Sequence, residues 1–217
     1  MARPRKTSNL AVARARMYQG LILESAERVF ADRGFEKATM QDVAAEAGIS
    51  LKTLYATFRG KEELYREIGR QRAREFLEHA SRSVLGEGSL MERLARGVRA
   101  YVDFLLMHRD YFRIQLREAR GWGLDPPDDS RKEWRSGLEV QASLLRAGIA
   151  EGVFHEGDPE LMAATAIAIM QVQLAGLVER SKGKPDAEAI TKEIVLALAR
   201  YLCKPDGLAE ARRAVGG

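Results

Sequence analysis

The chain carries few groups suited to bond-making chemistry and one compact set suited to recognition. Between Thr39 and Phe58, the residues Leu51, Lys52, Tyr55 and Ala56 fall on one side of an expected short helix, clear of Leu54 and Phe58 on the other. A lysine ammonium in such a place suits O6 or N7 of guanine, and a leucine can only pack on a thymine methyl. The chemistry on offer is therefore the reading of base edges in a DNA major groove. Cations precede it: Arg3, Arg5, Lys6, Arg14 and Arg16 all come before the first acid, Glu24, although the whole chain has a net charge of only +4. A basic arm beside a base-reading helix is what phosphate neutralisation requires, because each cation held near the backbone releases condensed counterions. Arg3, Arg5 and Lys6 are the arm residues expected to do this; the bland alternative is a solubilising tail.

The requirements of catalysis are not met. His79, His108 and His155 lie in separate segments with no recurring ligand spacing, and Cys203 sits on a late apolar helix. His155-Glu156-x-Asp158 has metal-ligating residue types but reads more simply as a solvated turn before a helix cap. No phosphate-cradling glycine loop or nucleophile elbow is present. The expectation is a protein that is not an enzyme and needs no metal or cofactor; an all-helical enzyme is the competing class, and sequence-specific duplex binding measured against turnover separates the two.

The base-reading residues need a scaffold, and the sequence around them supplies its signals. Thr39 with Asp42 three residues on forms a reciprocal start signal for a first helix, Gly48 stops that helix, and Ser50 caps a second one running to Phe58. Val43 with Ala47, and Leu54 with Phe58, recur one turn apart and with Ile49 form a small core. This predicts a helix-turn-helix over 39–58, whose second helix fits a major groove with its N-terminal residues at base edges. An ordinary helical hairpin would satisfy the local pattern, so the flanks decide. Tyr55-x-x-Phe58-x-x-Lys61-Glu62-x-Leu64, with Ala44-x-x-Ala47-Gly48-Ile49-Ser50 upstream, resembles the DNA-binding domain of TetR-family (tetracycline-repressor-like) transcription regulators over roughly residues 16–76. The remaining two thirds resembles the family only in being helical.

That resemblance implies roles residue by residue. Thr39 and Met40 would hold the phosphate backbone; Gln41, Leu51, Lys52, Thr53 and Tyr55 would face bases or nearby sugars; Ala56, Thr57 and Lys61 would again face phosphates. Leu51 departs from the family, where a polar residue often stands, so its contact is apolar or the side chain turns inward beside Leu54 and Phe58. Tyr55 has a second possible role as an amphipathic lid on the small core.

The rest of the chain must build the platform. At 217 residues, with 46% apolar and only 7% aromatic side chains, the chain suits a small DNA-binding module plus one packed domain, and no alternating Val, Ile or Thr run calls for a strand. The expected fold is all-α, with a basic arm at 1–15, a three-helix DNA-binding domain within 16–76, a helical effector-binding and dimerisation domain at 77–205, and a tail at 206–217. A helix from Lys61 links the domains, with five or six helices behind it. Tyr101, Phe104, Met107, Phe112, Trp122 and Trp134 suit an apolar pocket for a small-molecule effector among helices 89–120 and 130–151, and plain core equally. Leu161–Val178 is 18 residues without a charge, yet Thr165, Gln171 and Gln173 within it favour a helix in a protein interface over a membrane span. With the helix after Asp186 it is too apolar for one small bundle. A homodimer is expected, held at Ala168, Val172, Ile194 and Leu198. One cysteine and no secretory signal point to the cytoplasm. The function these features imply is a transcriptional repressor released from palindromic double-stranded operator DNA by a small, largely apolar effector. An architectural or partner-controlled DNA-binding protein of the same fold is the alternative.

Overall fold

The computed structural model describes residues 6–84, 87–118 and 131–216, with side chains except at 6–16, 81–84, 118, 131–137 and 140. Arg3, Arg5 and Trp122 lie outside the described residues, and the side chains of Lys6 and Trp134 do too. The described chain is helical, with no strand and one isolated antiparallel bridge between Phe154 and Cys203. It divides into two compact units, Met1–Gln71 and Arg72–Gly217.

The first unit contains α1 (Lys6–Arg33), α2 (Met40–Glu46), α3 (Leu51–Thr57) and the start of α4 (Lys61–Val84). The stripe Ile22, Ala26, Val29 and Phe30 on α1 is buried as its spacing demands, as are Val43, Leu54, Phe58 and Leu64 further along the unit. Helix α1 starts at Lys6, so the backbone from residue 6 onward is helix where an arm over 1–15 was expected. It stops at Gly34, which takes a left-handed φ of 80° while its amide closes on the Phe30 carbonyl at 2.9 Å.

The second unit contains the rest of α4, then α5 (Leu90–Met107), α6 (Arg109–Glu118), α7 (Arg131–Ala150), α8 (Pro159–Arg180), α9 (Ala187–Leu202) and α10 (Pro205–Ala214). Helix α5 packs on α9, and α8 on α7 and α9. One core runs through them, with Met91, Val98, Val102, Ala142, Leu145, Phe154, Leu174 and Val195 at its centre. Among the described residues six helices follow α4, where five or six were expected. The segment expected as a tail from 206 is α10, started by Pro205 and docked through Ala211, which is fully buried.

Two groups of expected residues are redistributed. Ile194 and Leu198, expected at a dimer interface, are 0% and 1% exposed within their own chain, because α9 faces α5 with its most regular apolar stripe. Ala168 and Val172 on α8 stay at the surface, Val172 being 52% exposed. Phe104 and Phe112, expected in a pocket, are core, and Met107 at the end of α5 is 69% exposed. By length and composition α8 passes for a membrane span, but Met162, Ala163, Ala166, Met170 and Leu174 place one of its faces in the core.

The link from α7 to α8 is fixed by close packing. A Cβ on Gly148 would lie 2.2 Å from Phe154 Cδ2 and 2.7 Å from Leu90 Cδ2, so only a glycine lets the buried Phe154 ring seat against α7. The strand-like crossing is completed by the His155 amide donating to the Leu202 carbonyl at 2.8 Å and the Lys204 amide to the Val153 carbonyl at 2.9 Å. Gly148→Ala should destabilise the protein by about 1–3 kcal/mol through overpacking, read as a lower urea midpoint; an unchanged midpoint would mean the ring has room to move.

His108 caps the C-terminus of α5 and packs against Phe104 with the rings tilted at 51° and 4.5 Å between centroids. Its Nε2 is 3.7 Å from Glu75 Oε2, which also pairs with Arg72 at 2.5 Å. Burial holds the imidazole below its ordinary value, with Arg72 and His79 adding to the effect and Glu75 opposing it. The folded protein therefore binds a proton less readily than the unfolded chain. Stability from this site is present above the unfolded value of about 6.5 and is lost as pH falls from there through the folded value. His108→Gln should lose less stability than the parent between about pH 7.5 and 5.5, compared by denaturant melts at each pH; equal losses would place the titration elsewhere.

Candidate nucleic-acid interface and internal cavity

The motif is built by its caps. Thr39 Oγ1 accepts from the Asp42 amide at 3.2 Å, and Asp42 Oδ2 accepts from the Thr39 amide at 3.0 Å and from its hydroxyl at 2.7 Å. The Thr39 hydroxyl holds the Asp42 carboxyl below its usual range against partial desolvation, helped by the Thr39 amide and the Arg33 guanidinium, whose Nη1 is 2.7 Å from Oδ1. At the other end of α2 the Ile49 amide reaches back to the Ala44 carbonyl at 3.0 Å and the Gly48 amide to Ala45 at 3.2 Å. That pairing needs a left-handed residue between them, and Gly48 supplies it with φ of 63°. Ser50 then caps α3, its Oγ accepting from the Thr53 amide at 3.1 Å.

Helix α3 is held from behind and open in front. Leu54 is 0% exposed and Phe58 4%. Lys52, Thr53, Tyr55, Ala56 and Thr57 are exposed, as are Thr39 and Gln41 at the start of α2. Tyr55 is 50% exposed, so it lies on the free face and does not cover the core. Leu51 is half-buried, between its two expected roles. Thr53 Oγ1 is 2.8 Å from Ser50 Oγ, and the Thr57 hydroxyl donates to the Thr53 carbonyl at 3.2 Å, which orients both along the helix.

Two expected phosphate contacts are reassigned. The Met40 side chain is 6% exposed and packs in the core, which leaves only its backbone at the α2 N-terminus for an anion. Lys61 points inward: Nζ donates to the carbonyls of Phe35 at 2.9 Å, Glu36 at 3.1 Å and Ala38 at 3.5 Å, and stands 4.7 Å from the centroid of the Phe35 ring. An ammonium has three donors, and this one has three acceptors in the α1–α2 turn. Arg59, exposed just past α3, is a cation the spacing did not single out. Its position directly after the recognition helix was the available signal.

The second unit holds a cavity of about 240 Å³. Its walls come from α4 (Phe76, Leu77, Ala80), α5, α7 (Leu144, Leu145), α8 (Ala163, Met170) and α9 (Leu198, Leu202), not from α6. Of the expected pocket residues with described side chains, Tyr101 alone lines it. The Tyr101 hydroxyl is bonded to Gln171, which is buried, and desolvation pushes its pKa well above the ordinary value, so it stays neutral. Among the described residues of the wall, Arg93 and Gln141 are the other polar ones. Asp158 of the candidate metal-ligating turn caps α8, accepting from the Glu160 amide at 3.0 Å.

Two family models match this architecture: residues 22–68 match bacterial regulatory proteins of the tetR family, and 87–202 the tetracyclin repressor-like C-terminal domain. The chain belongs to the TetR family. Members are DNA-binding transcriptional regulators that act as dimers. The uncharacterised helix-turn-helix regulator YhgD of Bacillus subtilis is 28% identical over 84% of this chain and 95% of its own. The fatty acid metabolism regulator protein of the same organism is 21% identical over 63% of this chain and 70% of its own. Among solved structures, the ketosteroid transcriptional regulator KstR2 of Mycobacterium tuberculosis shares the fold, with a TM-score of 0.69 at 24% identity over 86% of this chain and 95% of that one.

In this TetR-family protein, Lys61→Ala should lower stability by roughly 1 kcal/mol, because three turn carbonyls lose a charged donor, while the slope of DNA affinity against salt stays as in the parent. Urea melts and binding titrations at several salt concentrations test this; normal stability with a flattened slope would return Lys61 to a phosphate.

Proposed function

We propose that the protein is a homodimeric, cytoplasmic repressor that binds a palindromic operator through α3 and leaves it when a small, largely apolar effector enters the cavity. The observation that carries this reading is the cavity, an apolar space in the second unit whose wall includes Phe76 and Ala80 of α4. Helix α4 is continuous, and its first turns seat Leu64 and Ile68 in the core beneath the motif. A ligand that prefers one setting of α4 can change the population of DNA-competent dimers only by its differential affinity for the two settings. Relatives named for fatty acid metabolism and ketosteroid regulation concern apolar molecules, which supports the same class of effector. For the dimer, the support is the outer face of α8, where Leu161, Thr165, Ala168 and Val172 follow helical spacing and Leu161 is 59% exposed.

On DNA, Lys52, Thr53, Tyr55 and Gln41 read bases from the exposed face, and Thr39, Ala56 and Thr57 flank the backbone. The half-sites then lie about one DNA turn, roughly 34–36 Å, or a multiple apart. Lys52→Ala should relax preference at one base pair by about 1–3 kcal/mol in a binding selection, with other positions unchanged. A thermal-shift screen followed by operator titration with each hit tests the release mechanism: compounds that raise Tm should lower operator affinity by the same coupling that DNA exerts on their own binding. Tight hits that leave operator affinity unchanged would favour an architectural or partner-controlled DNA-binding protein instead.

A further inference from the structure

Most cations of the first unit are already committed. Arg28 pairs with Glu46, Arg33 with Asp42 and Arg70 with Glu67, Lys61 is held by three carbonyls, and Arg66 has a contact within the chain. Among the described side chains of residues 17–71, Lys37, Lys52 and Arg59 remain, all exposed and none with a side-chain partner. The residues ahead of 17 contain no acid that could pair with them. Lys52 lies on the free face of α3, and the other two are placed by the clamp at Lys61. The carbonyls of Glu36 and Ala38, on either side of Lys37, accept from Lys61 Nζ at 3.1 and 3.5 Å, so the turn carrying Lys37 is tied to the start of α4. Arg59 stands two residues ahead of Lys61, and its amide donates to Glu63 Oε2 at 2.6 Å. The segment holding α2 and α3 thus leaves one turn and returns to the other, with Lys37 two residues before Thr39 and Arg59 two residues after Thr57.

We infer that Lys37 and Arg59 bind phosphodiester groups of the DNA backbone at the edge of the groove that α3 reads, in place of the inward-turned Lys61. This rests on the docking of α3 proposed above, in which Thr39 and Thr57 flank that backbone. A guanidinium offers a planar fork matched to two phosphate oxygens, and a lysine a compact point charge. Both side chains can turn to a phosphate without breaking a contact, on backbone that the clamp holds in place. Of the acids in the same turns, Glu63 is engaged at the Arg59 amide and Glu36 has a further contact within the chain. Glu62 lies over Gly60, its Oε2 3.3 Å from where a Cβ would stand, and so opposes a phosphate beside Arg59.

Titration of the full-length protein at several salt concentrations tests this, against the duplex recovered from a binding selection and against a mixed-sequence duplex. Lys37→Gln and Arg59→Gln should each lower the slope of log affinity against log salt by about 1 per subunit on both duplexes, with urea midpoints as in the parent. Arg59→Lys should keep the parent slope. Arg28→Gln, which removes a paired cation of the same unit, should leave the slope unchanged, and Glu62→Gln should tighten binding to both duplexes. A scan of single methylphosphonate replacements along the selected duplex should contain one position that weakens the parent but not Arg59→Gln, and another that weakens the parent but not Lys37→Gln. An unchanged slope in either glutamine variant, an equal fall in Arg28→Gln, or a scan that weakens the variants wherever it weakens the parent would overturn the assignment. The docking of α3 fails separately, if Lys52→Ala leaves base preference intact while the slope changes at Lys37 and Arg59 are still seen.

Discussion

Three backbone carbonyls of one turn converge on a single ammonium, and the geometry of the DNA-binding unit depends on that convergence. Lys61 Nζ gathers Phe35, Glu36 and Ala38, so the end of α1, the entry to α2 and the first residue of α4 share one small volume. Phe35 contributes its ring beside the cation, and Phe30 and Tyr65 pack round that ring with centroids 5.6 and 5.1 Å from it. With both ends of the α2–α3 segment fixed, the angle of α3 is set by the turn at Gly48 and by the burial of Leu54 and Phe58. The free face of α3 is rigid because its back is committed. Surface pairs such as Arg28 with Glu46, 2.7 Å apart, orient α1 on α2 but add little energy in open solvent.

The second unit is organised differently, around space rather than around a polar clamp. Its core is continuous from α5 through α9 to α10, yet it leaves an apolar cavity beside Leu198 and Leu202. That space is lined almost wholly by apolar side chains, so an apolar occupant would make dispersion contacts there that water does not supply. An occupant that makes those contacts therefore has free energy to couple to the helices it touches. The wall of the cavity includes Phe76, Leu77 and Ala80 of α4, the helix whose first turns belong to the first unit.

The local signals of the motif were legible because each is settled within a few residues. Thr39 with Asp42, Gly48 and Ser50 fix the two helix starts and the turn through backbone hydrogen bonds that depend on no distant part of the chain. The buried stripe of α1, Ile22, Ala26, Val29 and Phe30, follows from spacing too, since apolar residues at helical intervals have only one way to leave water. Burial, however, does not name the partner. Ile194 and Leu198 showed that they would be covered, but α5 of the same chain covers them and a second subunit does not; Phe104 and Phe112 showed aromatic bulk, which fills core instead of lining space.

What the sequence alone determined was therefore the all-helical fold, the position of the helix-turn-helix and the face of α3 that is free, all consequences of short-range capping and periodicity. Tertiary structure decided the rest, because it depends on which surfaces meet. It turned Lys61 from solvent to three carbonyls contributed some 25 residues earlier in the chain, sank the Met40 side chain, and made a docked helix of the residues after Pro205. It also assembled a cavity from five helices no two of which reveal it alone, with Arg93, a residue unremarked at its place in the sequence, among the residues of its wall.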